Sequence, residues 1–138
     1  MRSRSRLNQA AELVKKGGKG SELHKKHRVY LDHIAIASCP CDYDERLVEM
    51  FPGRYKFLRL YALDPYDVAL TKLSRNIERD RDDVKYLART IPFDLDKLRR
   101  RYQIEWRPYA IGNPKHHDLT MALWIEMIEE ERNTSATK

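Results

Sequence analysis

The sequence predicts an α+β fold, a small mixed sheet followed by a C-terminal helical half. Three observations carry this. Residues 28–37 (RVYLDHIAIA) and 57–63 (FLRLYAL) are short apolar runs of strand length. From residue 64 to 128, apolar side chains recur at helical spacing, in runs bounded by Asp, Asn, Pro and Gly. Finally, 138 residues that are 41% hydrophobic and 35% charged make one domain with a real core, not a disordered chain.

The elements follow in order. Residues 1–6 are expected to be disordered, and Leu7 to Lys16 to form a short helix with Leu7, Ala10, Ala11 and Val14 on one face. The glycines of GGKGS (17–21) end it. Glu22 to His27 is a second short helical turn. In the first strand, Tyr30, Asp32, Ile34 and Ile36 share one face, and Val29, Leu31, His33, Ala35 and Ala37 the other. Both faces are largely apolar, as in a strand covered on both sides. Cys39-Pro40-Cys41 ends it, Asp42 to Met50 reads as a helix, and Pro52-Gly53 is a turn into the second strand. Two strands seldom stand alone. Residues missing from the front, or another chain, are therefore expected to complete the sheet.

In the helical half, Asp64 is an N-cap and Pro65 a first helical residue. Tyr66, Ala69, Leu70 and Leu73 give a buried stripe, and Asn76 marks a bend. Arg79 to Thr90 is the next helix, with Asp80, Val84, Leu87 and Ala88 on one face, and Pro92 stops it. Asp94 caps a helix through about Trp106, with Leu95, Leu98 and Tyr102 inward and Arg99-Arg100-Arg101 mostly solvated. Gly112-Asn113-Pro114 breaks the chain, and Asp118 caps a last helix with a Met121, Trp124, Ile125 and Ile128 stripe. The expected organisation is a basic arm with a short helix (1–27), a single domain (28–132) and a disordered tail (133–138).

Charge and composition narrow the function. Residues 1–28 hold nine Lys/Arg against Glu12 and Glu22, a balance of +7; the other 110 residues hold 18 against 19, or −1. A basic arm of this kind either binds nucleic acid or is a solubilising, frayed end. No apolar stretch approaches a membrane span, and the N-terminus has no secretory h-region, so no membrane partner is expected. Cys39 and Cys41 are too close for an ordinary disulfide, which points to a reducing, cytoplasmic location.

The most informative run is LDPYDVALTKLSRNIERDRDDVKYL (63–87). Read as two helices joined by a polar bend, it places Lys72, Asp80 and Asp83 near one another beside apolar stripes. LDPYDVALTKL followed by RDRDDVKYLA resembles the C-terminal half of bacterial nucleotidyltransferase-like proteins of uncharacterised function. More distantly, it is similar to the nucleotidyltransferase toxins of abortive-infection systems. The resemblance runs from about Val29 to Ile128. It includes YLDHIAIA, the Tyr43-Asp44-Glu45-Arg46-Leu47 segment and RPY with HHDLTMALWIE near the end.

That resemblance implies transfer of a nucleotide from a nucleoside triphosphate (NTP) to an acceptor, with Mg²⁺ held by paired carboxylates. By position it implies triphosphate contact for Lys72, a supporting acid in Asp80 and a metal-binding carboxylate in Asp32. In the pattern, a Gly-Ser turn and an Asp-x-Asp strand precede the third acid. Here no Asp precedes Asp32, and Ile34 stands where a second acid would share its strand face. The expectation is a family member shortened at its N-terminus and inactive or weakly active, with Mg²⁺ and an NTP as cofactors if active. The alternative is a non-catalytic regulatory module that binds nucleic acid or a protein through the basic arm.

Each candidate has a plainer reading. Asp32 is a metal ligand, a solvated acid at a strand edge, or a partner of Lys72. Lys72 and Asp80 contact phosphate, or form a partly buried ion pair tying two helices together. Asp83 supports Asp80 or caps the helix. Cys39 and Cys41 with His27, His33, His116 or His117 make a poor zinc pattern, because the cysteine spacing is short and no second pair exists. Arg28-x₄-His33 matches a ribonuclease spacing, but on a strand it reads as coincidence. Tyr102, Trp106 and Tyr109 near Arg99 to Arg101 stack bases, or Tyr102 and Trp106, at helical spacing, fill the core.

Overall fold

The computed structural model describes residues 3–33 and 38–137, with side chains from Gln9 onward. The chain forms two compact units, Met1–Ala37 and Ser38–Lys138. The division falls ten residues beyond the expected 27/28 boundary, because the segment after residue 28 folds back on the first helix.

In the N-terminal unit, α1 spans Ser3–Gly17 and α2 spans Glu22–His27. Gly18 N–H closes α1 on the Val14 carbonyl at 2.7 Å. A Cβ on Gly18 would sit 2.2 Å from that carbonyl oxygen, so the position excludes any larger residue. Ser21 caps α2, its Oγ accepting from His24 N at 3.2 Å. Arg28 ends α2 in the left-handed region, at φ 59°. Leu31 N–H then donates to the Gly17 carbonyl at 2.7 Å. The expected strand is therefore absent from residues 28–33. The turn at Arg28 redirects the backbone, and the Leu31 amide is spent on α1 instead of a ladder. Residues 34–37 lie outside the described residues.

The C-terminal unit is α+β with a helical C-terminal half, and its sheet is antiparallel where a mixed one was expected. After a 3₁₀ turn at Tyr43–Arg46, β1 (Val48–Met50) pairs with β2 (Leu60–Ala62) in the register Val48↔Ala62, Glu49↔Tyr61, Met50↔Leu60. The helix expected over Asp42–Met50 is thus one turn and a strand. Arg46 is anchored by acids from distant segments, and Leu47 leaves the turn extended, at ψ 134°.

The helices follow: α3 (Pro65–Leu73), α4 (Glu78–Thr90), α5 (Leu95–Arg101) continuing into a π-helical turn (Tyr102–Trp106), and α6 (Pro114–Ala136). Asp64 caps α3, with Pro65 in its first turn, and Asp94 caps α5 through Asp96 N and Lys97 N. Asn113, not Asp118, caps α6, through Lys115 N at 3.0 Å; Pro114 just beyond it suits a first helical position. The segment expected to be a disordered tail from residue 133 is helical to Ala136. Thr134, Ser135 and Thr137 hydroxyls return bonds to the carbonyls of Glu130, Glu131 and Asn133.

One core joins these helices. Leu70 and Leu73 of α3, Val84 and Ala88 of α4, Leu98 of α5, Tyr102 and Trp106 of the π turn, and Met121, Trp124, Ile125 and Ile128 of α6 are buried together. Tyr102 and Trp106 stack with centroids 5.5 Å apart and are core residues, unavailable to a base. Asn76, at the α3–α4 bend, takes a left-handed φ of 47°. Its side-chain oxygen accepts from Trp124 Nε1 at 2.9 Å and its carbonyl from Arg81 Nη1 at 2.6 Å, which locks the bend against α6.

Candidate functional site

The α3–α4 bend brings Lys72 and Asp80 together, as the spacing predicts. Lys72 lies in the last turn of α3, and Asp80 in the first turn of α4. Lys72 Nζ donates to Asp83 Oδ2 at 2.6 Å and stands 3.7 Å from Asp80 Oδ1. Its side chain keeps 24% exposure.

Asp80 is the hub. Its side chain is fully buried, and Arg75 grips it with two bonds, Nε to Oδ2 at 2.8 Å and Nη2 to Oδ1 at 2.5 Å. Ile77 N–H adds a third at 3.2 Å, the acidic half of a capping box at the start of α4. Arg75 holds the Asp80 carboxyl below the ordinary carboxylate range, against the opposing effect of burial; the Ile77 amide and Lys72 act in the same direction as Arg75.

This geometry separates two ligand chemistries. A metal needs carboxylate oxygens with open lone pairs. Asp80 is fully buried, its Oδ2 accepts two bonds, and its Oδ1 faces the Arg75 and Lys72 cations, so it does not fit a metal ligand. An anion needs a fixed cation with hydrogens to spare. Lys72 fits that need: it has three N–H donors, of which Asp83 takes one, and a partly open face. Asp32 lies in the N-terminal unit, exposed, on an irregular segment instead of the expected strand.

A second charged cluster escaped the sequence reading. Asp67, in the first turn of α3, is fully buried. It accepts from Arg46 Nε at 2.9 Å, Arg46 Nη2 at 3.0 Å and Arg101 Nη1 at 2.9 Å. Arg101 also donates to Asp64 at 2.6 Å, and Arg46 to Glu105 at 2.7 Å. The Arg99-Arg100-Arg101 run was expected to be mostly solvated, yet Arg101 is buried. It shares a helix face with Leu98, three residues back, which was the available signal. The cluster is saturated with internal partners and ties the 38–46 segment to α3 and the π turn.

Among the described residues, Cys41, Asp42 and Glu105 form a group whose ligand-type atoms lie within 4.8 Å of one another. His117 packs edge-on against Trp106 at 5.1 Å, with Nε2 on the Ile111 carbonyl. Cys39 and Cys41 are free thiols pushed up from their ordinary value, Cys39 by burial and then Asp67, Cys41 by desolvation and then Asp42; both are poor nucleophiles.

Comparison with known families bears on this arrangement. The model of a family described as nucleotidyltransferase of unknown function (DUF6036) matches residues 31–132. The chain belongs to this family. The match spans Asp32, Lys72, Asp80 and Asp83, and leaves α1 and α2 outside. No curated protein and no solved structure matches the chain. No described helix of this family member is long and apolar enough to cross a membrane.

Proposed function

We propose that this chain binds a nucleoside triphosphate through Lys72 and is inactive or weakly active in nucleotide transfer. The observation that carries the reading is the partly exposed Lys72 side chain, its ammonium fixed by Asp83 and Asp80 at the mouth of a helix N-terminus. A cation held in place loses little freedom when a phosphate arrives. Asp80 acts as a positioning residue: it orients Lys72 and anchors Arg75. Asp83 completes the seat.

Mg²⁺ would accompany the triphosphate; the metal-carboxylate role that the resemblance gives Asp32 belongs to the N-terminal unit and is proposed separately from the Lys72 seat. When bound, the metal would neutralise phosphate charge and polarise a phosphoryl oxygen. Weak or absent transfer belongs to the same proposal, because the sequence carries Ile34 where the resembled Asp-x-Asp pattern has a second acid. Kinship with bacterial abortive-infection toxins and a cytoplasmic setting, consistent with two free thiols, belong to the same reading.

Calorimetric titration with ATP, CTP, GTP and UTP, each with Mg²⁺, tests it. At least one should bind, and Lys72→Ala should abolish binding while leaving the circular dichroism spectrum intact. Silence with all four nucleotides, or undiminished binding by Lys72→Ala, would refute the assignment.

A further inference from the structure

The net charge of +6 divides along the boundary between the two compact units. Residues 1–37 carry nine Lys/Arg against Glu12, Glu22 and Asp32, a balance of +6; residues 38–138 carry 18 against 18. All of the excess charge therefore belongs to the helical hairpin, which lies mostly outside the family match.

The hairpin gathers its cations. Lys15 and Lys16 end α1, Lys19 lies in the turn, Lys25 and Lys26 end α2, and Arg28 caps it; all are exposed. Among the described residues, one of these cations has an acidic partner: Lys25 meets Glu22 at 3.2 Å, an exposed pair that screening makes weak. α2 buries none of its residues, so the composition of that helix is not dictated by a core. Tyr30 is 42% exposed and meets His24 in a T-shaped contact, centroids 4.8 Å apart, which fixes the ring while leaving part of it open to solvent.

We infer that residues 9–33 bind single-stranded nucleic acid. The cations hold backbone phosphates, and Tyr30 stacks on a base, the pairing of a basic track with an aromatic platform that unpaired strands require. An anionic membrane surface fits less well. A helix lying in an interface needs a broad bulky apolar face. α1 has only Leu7, Leu13 and Val14 in fifteen residues, and α2 only Leu23 in six.

Fluorescence anisotropy of the full chain with a labelled oligonucleotide of about twelve nucleotides tests this. With about four phosphate contacts, affinity should fall about fiftyfold between 50 and 200 mM salt. Replacing Lys15, Lys16, Lys25 and Lys26 with Gln should weaken binding at least tenfold. Tyr30→Ala should weaken the single strand by about tenfold and leave a duplex of the same sequence little changed. Lys72→Ala should bind the oligonucleotide as the parent does, which keeps this inference separate from the triphosphate reading. The inference is overturned by no binding at 50 mM salt, by binding indifferent to the four lysines or to Tyr30, or by stronger binding to phosphatidylserine vesicles.

Discussion

Replacing Asp80 with Asn keeps the shape of the side chain and removes its charge. The structure sets the size of the effect. Asp80 is fully buried, and it receives two guanidinium bonds and one backbone amide bond. Breaking a fully buried ion pair costs about 3–5 kcal/mol. Here the stranded partners are not fully buried: Arg75 is 60% exposed and returns to water, and Lys72 retains Asp83. The Asn oxygen can still accept from Ile77. The expected loss is therefore smaller, about 2 kcal/mol, or roughly 6–10 °C in melting temperature for a domain of this size.

The pH dependence gives the sharper test. The Asp80 carboxyl titrates below its ordinary value in the folded protein. Its contribution is therefore fully present above the unfolded value of about 3.9 and is lost as pH falls through the lowered folded value. Denaturant unfolding of parent and Asp80→Asn between pH 7 and pH 3 should show a constant gap down to about pH 5 that narrows below pH 4. A gap that persists unchanged to pH 3, or no destabilisation at pH 7, would mean that Asp80 is not the ionised hub described above.

Three further outcomes follow. Asp67→Ala should cost about 3–5 kcal/mol in urea unfolding, because it leaves the Arg101 guanidinium buried beside Asp64 alone. Carbon-detected NMR should find the Asp118 carboxyl titrating at about 2, held down by Arg107 and then Tyr102; Arg107→Gln should move it up, and the stability it contributes is present above the ordinary range and lost as pH drops toward 2. Gly18→Ala should open the helical hairpin, seen as faster amide exchange at Leu31, since the added Cβ meets the Val14 carbonyl.

The helical half was legible because its signals are local. Asp64-Pro65, Asn76, Pro92 and Asp94 each act on their own backbone, so the starts of α3, α4 and α5 and the stops of α3 and α4 could be read from single residues, whereas the change from α5 to a π turn at Tyr102 could not. The Lys72, Asp80 and Asp83 grouping was legible for the same reason, as three side chains around one short bend. The sheet was not. β1 and β2 are three residues each, and an apolar run that short carries no period that separates strand from turn. Arg28 hid the reversal after α2, because nothing in its side chain announces a left-handed φ. The Asp67 cluster was missed because its partners, Arg46, Arg101 and Glu105, come from three separate segments, and only tertiary packing joins them.

The claim on which the functional account rests is that Lys72 is a phosphate-binding cation and not merely a strut between two helices. Nitrogen-15 NMR of the lysine ammonium groups during titration with Mg²⁺-nucleoside triphosphate tests it most directly. The Lys72 resonance should shift and saturate with the nucleotide that gives a calorimetric signal, while Lys115, in the first turn of α6, stays in place. A saturating nucleotide that leaves the Lys72 signal where it began would contradict the account.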